Sequence, residues 1–156
     1  MMNERTRIKK TVKNKLRTFW KFKLTQDYEN YLTNVRNINR VAITTLRLSN
    51  HKLAIETGQY VKPYQPPDQR ICLLCKTGLE DEEHFLMNCI AYRDLRRELF
   101  NTLKKEPNLF LDSMTPSSAF ATLMSIKQGE KTQKIVAKYV CDRFCERERR
   151  VKYNLV

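Results

Sequence analysis

Three cysteines and a histidine fall within eighteen consecutive residues, spaced Cys72-x2-Cys75-x8-His84-x4-Cys89. Thiolate sulfur and imidazole nitrogen are soft to borderline donors. Two short paired spacings closed by a loop can present four of them as a tetrahedron, the arrangement zinc prefers. The expectation is a structural Zn²⁺ site ligated by Cys72, Cys75, His84 and Cys89. The bland alternative is a set of small apolar cysteines beside an unrelated histidine. With all four positions supplied by protein, no place is left for a water, so catalytic zinc is not expected.

These residues need particular local structure to converge. Cys72-Leu73-Leu74-Cys75 must turn both thiolates toward one point, and Lys76-Thr77-Gly78 must let the chain reverse. Asp81 is placed to cap a short helix, with Glu82 and Glu83 at its positive end. His84 then lies in the first turn of that helix. At 3.6 residues per turn, five further residues rotate Cys89 by about 500°, or about 140° net, off the face of His84. The expectation is that the helix tightens, or ends near Asn88, so that Cys89 swings back. The eight-residue gap is shorter than the roughly twelve of a ββα finger, so a full recognition helix is not expected. The row Glu80-Asp81-Glu82-Glu83 would repel phosphate, which makes the knuckle a scaffold with any nucleic-acid contacts on its flanks.

Around this centre the chain divides into a basic amphipathic N-terminal helix (1–26), a helical segment with a proline-bearing linker (27–69), the knuckle (70–90) and C-terminal helices (91–156). Ile8, Val12, Leu16 and Phe19 share one face of a helix over 4–24, opposite Lys9, Lys13 and Arg17. Trp20 and Phe22 interleave with Lys21 and Lys23, which suits either base stacking or docking on the core. A short helix is expected over 27–34. Another is expected over 36–49, with Ile38, Val41, Ala42, Thr45 and Leu46 inward. His51 reads as a satisfied structural histidine. Prolines at 63–67 break any helix. Tyr92, Leu95, Leu99 and Leu103 predict a helix ending before Pro107. Thr115-Pro116 predicts a capped helix holding Phe120, Leu123 and Met124, closed by Gly129. Val136, Val140 and Phe144 recur at four-residue spacing in a last helix over 131–150. Cys141 and Cys145, four apart on that helix, read as packing or exposed thiols rather than half of a second metal site. The fold class expected is mainly α: a helical domain with a small Cys3His knuckle, a β-turn or hairpin plus a short helix, inserted between helices.

At 156 residues and 41% hydrophobic content the chain can bury a core without external staples. No apolar run approaches bilayer length and no secretory h-region follows Met1. Five cysteines is an odd number, and their spacing suits metal better than disulfides, so a reducing compartment, nucleus or cytoplasm, is expected. The net charge of +13 favours polyanionic partners, RNA or DNA first. A basic surface without a specific partner is the alternative.

One resemblance is carried by particular residues. They are Leu46-Arg47-Leu48-Ser49-Asn50-His51-Lys52-Leu53, Glu56-Thr57-Gly58-Gln59-Tyr60, Arg70-Ile71-Cys72-Leu73-Leu74-Cys75 and the run from Glu80 to Arg96. That last run reads E-D-E-x-H-F-L-x-x-C-x-x-Y-x-x-L-R. Together they resemble the zinc-binding C-terminal region of endonuclease/reverse-transcriptase polyproteins from non-LTR (LINE-type) retrotransposons, over about residues 19–150. Ile90 departs from the pattern, since members often carry proline after the last cysteine. The resemblance implies a tail that helps a polymerase grip template RNA or target DNA. This chain has no F/Y-x-D-D motif, so it is not expected to be an enzyme by itself. It looks like a detached tail, either a fragment or a derived gene. The expected function is that of a non-catalytic, zinc-stabilised nucleic-acid-binding module, with contacts from Lys9, Lys13, Arg17, Trp20, Lys21, Arg93, Arg96, Arg97, Arg147 and Arg150. Its possible protein partner is a reverse-transcriptase/endonuclease core. The alternative is a zinc-locked structural or protein-interaction domain with no nucleic-acid binding of its own.

Overall fold

Helical periodicity in the sequence becomes helix wherever an apolar stripe can be buried, and a computed structural model shows how those stripes meet. It describes residues 16–22, 28–106, 109, 111–125 and 128–154. Among them the α-helices are α1 (Arg17–Phe22), α2 (Tyr31–Asn34), α3 (Asn37–Arg47), α4 (Ala54–Thr57), α5 (Arg93–Leu103), α6 (Pro116–Met124) and α7 (Glu130–Lys152). A π-helical turn spans His84–Asn88. No described residue lies in a strand; the only β feature among them is one isolated antiparallel bridge, Ile71 to Leu79. The mainly α expectation holds. No helix among the described residues is long and apolar enough to cross a membrane.

Helix α7 is the spine. It lies along α3 and also packs on α5 and α2, while α6 packs on the π-turn. One hydrophobic cluster joins Val35, Ile43 and Leu46 to Leu53, Phe85, Leu86, Leu99, Leu103, Phe120, Val136 and Val140. The loop that carries the cysteines is part of this cluster through Cys72, Leu74 and Cys89. The predicted inward positions of α5, α6 and α7 are buried or packed against the cluster. Thr115 caps α6 by accepting the Ser118 N–H at 3.2 Å, with Pro116 at the first helical position.

Two expectations are corrected, and a third falls largely outside the described residues. Helix α3 turns a partly shifted face inward: Ala42 and Leu46 are buried as expected, but Ile43 and Arg47 join them, whereas Ile38 and Val41 are each 57% exposed. The cause is polar. Arg47 is drawn inside by a 3.2 Å bond to the buried Glu29 carboxylate and stacks over the Tyr31 ring, which rolls the helix about its axis. Secondly, α6 ends at Met124, and Gly129 instead occupies the N-cap position of α7 in an extended conformation. Thirdly, only residues 16–22 of the expected helix over 4–24 are described, so Lys9 and Lys13 lie outside the described residues, as does the Trp20 side chain. Phe22 docks rather than stacks on a base: it meets Phe120 edge-on at 5.3 Å between ring centres.

Polar contacts tie α1 to this frame. Arg17 forks between Glu56 and Glu82, reaching Glu82 at 2.8 Å. Glu82 also accepts from the Ser49 hydroxyl at 2.7 Å and His51 Nε2 at 3.0 Å. Burial raises the Glu82 pKa, but these donors and the nearby Arg17 charge outweigh it and hold the carboxyl down at about 2. A carboxylate depressed in the folded state stabilises it above the ordinary pKa of 4.5, and that contribution fades as pH falls toward about 2. Glu82→Gln is therefore expected to lower the unfolding free energy by roughly 3 kcal/mol at pH 7. Denaturant curves of variant and parent should converge in acid; a gap unchanged at pH 2 would contradict this assignment.

Candidate metal centre

The local backbone is built to bring four donors together. The Cys72 N–H donates to the Gly78 carbonyl at 2.8 Å, and the Lys76 N–H donates back to the Cys72 carbonyl at 3.1 Å. The chain reverses there through Lys76, which takes the left-handed conformation at φ 58°. Gly78 serves a different need from the one its position in the turn implies. A Cβ on it would stand 3.2 Å from Nδ1 and 3.3 Å from Cε1 of His84, so its bare backbone makes room for the imidazole. Asp81 caps the next turn as expected, its carboxylate accepting the His84 N–H at 2.7 Å.

The problem of Cys89 is solved by widening rather than tightening. From His84 to Asn88 the helix is π, and the Cys89 N–H donates to the His84 carbonyl at 2.8 Å, five residues back. A π-turn holds more residues per revolution than an α-turn, so residue i+5 returns close to the azimuth of residue i. The turn then ends, as expected, at Asn88. Its carbonyls are taken up by neighbours: Tyr139 of α7 donates its hydroxyl to the Leu86 carbonyl at 2.9 Å, and Arg96 of α5 donates to that of Cys89 at 3.2 Å.

The result is a cluster of Cys72, Cys75, His84 and Cys89 whose ligand atoms all lie within 4.8 Å of one another. Two sulfurs each 2.3 Å from a tetrahedral centre stand about 3.8 Å apart. The Cys72 and Cys89 sulfurs are 3.8 Å apart, and Cys75 Sγ is 3.2 Å from His84 Nε2. The donor set and spacing fit a four-coordinate metal ion. Cys72 and Cys89 are buried, while Cys75 and His84 form the more accessible edge. The thiols are polarised against one another. The contact with Cys89, together with burial, pushes the Cys72 thiol up to about 12, and the same contact draws Cys89 down. Cys75 is drawn down in spite of burial, by the Thr77 hydroxyl and backbone. His84 is held up by its contact with Cys72. The protons so held are those a metal ion must displace.

Beneath the cluster lies a polar layer. Glu80, 1% exposed, sits 3.8 Å from Cys72 Sγ and accepts both Nε and Nη2 of Arg147 at 2.7 and 2.8 Å, and the Ala54 N–H at 2.7 Å. This corrects two expectations. Arg147 is an interior ion-pair partner, not a surface contact for phosphate. The acidic row is not an exposed repulsive patch either: Glu80 and Glu82 point inward and are paired, Asp81 caps, and Glu83 accepts from Ser117 at 2.5 Å.

The other expected contact residues fall into two groups. Arg17 bonds Glu56 and Glu82, Arg96 bonds the Cys89 carbonyl, and Arg150 pairs with Glu146 at 2.6 Å. Arg93 and Arg97 are exposed on α5, with Asp94 3.3 Å from Arg97, and Lys21 is exposed 3.8 Å from Glu83. Those three lie at the surface, as does Arg17 with 39% of its side chain exposed; Arg147 is buried, so the seven whose side chains are described do not form one surface patch. The alternation of Glu80 and Glu82 with Asp81 and Glu83 was the available signal for inward acids, but their partners lie tens of residues away. His51 is structural as expected, with Glu82 as its partner.

Comparison with family models, with curated proteins and with solved structures returns no match to this chain.

The close approach at Gly78 yields a test. Gly78→Ala forces the His84 ring to move by a few tenths of an ångström, and is expected to weaken metal binding roughly tenfold in a cobalt(II) spectrophotometric titration. An unchanged titration would show that the ring is free to shift.

Proposed function

We propose that the protein is a non-catalytic module in which one zinc ion, held by Cys72, Cys75, His84 and Cys89, pins a knuckle into a helical frame that presents basic side chains to nucleic acid. The observation that carries this reading is the closed Cys3His cluster with its fitted spacing. Zinc suits it because the ion has no geometric preference of its own and takes mixed thiolate and imidazole ligands in tetrahedral structural sites. Four protein donors also leave no position for a substrate, which supports a structural role. The reversal at 72–78, its single bridge and the following helical turn are read as the knuckle.

The nucleic-acid part rests on the net charge of +13 and on exposed Lys21, Arg93 and Arg97. It accords with the retroelement resemblance, on which the chain would be an accessory region of a LINE-type reverse transcriptase. RNA or DNA is the partner class proposed, through backbone phosphates. A second reading is favoured by one observation: Arg17, Arg47, Arg143 and Arg147 build the interior or its edge, so part of the charge serves folding. On that reading the module is a zinc-locked structural or protein-interaction domain.

Fluorescence anisotropy with labelled RNA and DNA oligonucleotides separates the two. Binding should weaken tenfold or more across a fourfold rise in salt. The double variant Arg93→Glu/Arg97→Glu should weaken it further without changing the melting temperature. No binding at low salt, or affinity that ignores both salt and these reversals, would favour the second reading.

A further inference from the structure

Among the described residues Arg143 has no acid to match its charge. It is fully buried, yet forms no ion pair with any described Asp or Glu, and its Nε and Nη2 atoms have no hydrogen-bond partner among the described residues. Only Nη1 is engaged, donating to the Tyr139 hydroxyl at 3.0 Å and, more weakly, to the Tyr92 carbonyl at 3.4 Å. Aromatic faces surround it: the guanidinium carbon lies 3.8 Å from the Tyr92 ring centre, 5.0 Å from that of Phe85 and 5.2 Å from that of Tyr139. Ring quadrupoles offset part of the lost hydration, but an unpaired interior cation remains a costly arrangement.

The rings that hold Arg143 belong to the metal segment itself. Phe85 follows His84, and the Tyr92 N–H bonds the Cys89 carbonyl at 3.3 Å. Along α7, Tyr139, Arg143 and Arg147 recur every four residues and all face this segment: Tyr139 bonds Leu86, and Arg147 bonds Glu80 next to Cys72. Arg147 and Glu80 neutralise one another, so that pair leaves Arg143 uncompensated. Burial holds the Arg143 guanidinium below its ordinary range; Tyr139 and Tyr92, then Cys89, favour its protonated form, and Arg96 opposes it. Three thiolates around a dication leave one net negative charge, of the sign Arg143 lacks, on the segment whose Phe85 and Tyr92 rings enclose it.

We propose that Arg143 is the counter-charge of the metal–thiolate centre, a positioning residue whose guanidinium stabilises the loaded, anionic site through the Phe85–Tyr92 layer. The inference rests on the metal reading above and adds to it a coupling. Loading the site gives the buried cation its partner, and the cation in turn raises affinity for the metal. Outer-layer partners of this kind contribute about 10- to 100-fold to metal affinity.

The test compares the full chain with Arg143→Met and Arg143→Lys, by zinc competition against a chromophoric chelator and by melting with and without zinc. Arg143→Met should bind zinc about 10- to 100-fold more weakly, while its metal-free melting temperature stays equal to the parent's or rises. Arg143→Lys, which keeps the charge, should recover most of the affinity. A role confined to packing in the aromatic cage would instead lower metal-free and loaded stability alike, and both variants would lose affinity together; that outcome overturns the proposal. Because Arg143→Met could fail to fold, the parent protein supplies an independent readout. The Arg143 side-chain N–H resonance should shift and exchange more slowly on zinc loading, and a resonance indifferent to zinc would overturn the proposal. If the parent takes up zinc and Arg143→Met matches its affinity, this inference alone falls. If the parent takes up none, the metal reading falls with it.

Discussion

Cys89 must arrive at the same point in space as His84, which precedes it by five residues, and an α-helix cannot bring it there. The π-turn at His84–Asn88 meets that requirement, and much of the surrounding structure follows from it. Side chains from outside tie the turn down: Tyr139 of α7 donates to the Leu86 carbonyl, and Arg96 of α5 to that of Cys89, the residue that follows the turn. The turn thereby couples the cysteine segment to α7 and α5 through hydrogen bonds, while α6 packs on the turn itself. Gly78 completes the arrangement by keeping the reversing loop clear of the imidazole.

Electrostatics then decides which charged side chains become interior. Glu80 and Glu82 descend from alternate positions of the acidic row into buried sites, where isolated carboxylates would be unfavourable. Each is met by an arginine from a remote part of the chain, Arg147 from α7 and Arg17 from α1. Paired buried ions contribute less to net stability than their number implies, since desolvation opposes the attraction, but removing one partner is severely destabilising. Their value here is geometric: they fix which helix faces which side of the cysteine cluster. A strongly basic composition is thus partly an interior matter.

The convergence of Cys72, Cys75, His84 and Cys89 was legible in the sequence because donor type and spacing are local properties, and so was the Asp81 cap. The α5, α6 and α7 stripes were legible for the same reason: period and apolar identity determine a helix face. The rolled face of α3 was not, because it depends on Glu29 admitting Arg47 to the core, an override of apolar periodicity by a tertiary ion pair. The roles of Arg143 and Arg147 were hidden likewise. Read along the chain they are basic residues near a helix end, and only the packing of α7 against residues 80–92 turns them inward. The π-turn could be posed as a problem from the rotation of an α-helix, but the choice between tightening and widening needed the structure.

X-ray absorption at the zinc K-edge of the purified protein, with metal content measured on the same sample, tests the central claim most directly. One equivalent of zinc with three sulfur neighbours at about 2.3 Å and one nitrogen at about 2.0 Å is the predicted result. Substoichiometric metal, or a shell of oxygen and nitrogen without sulfur, would contradict it.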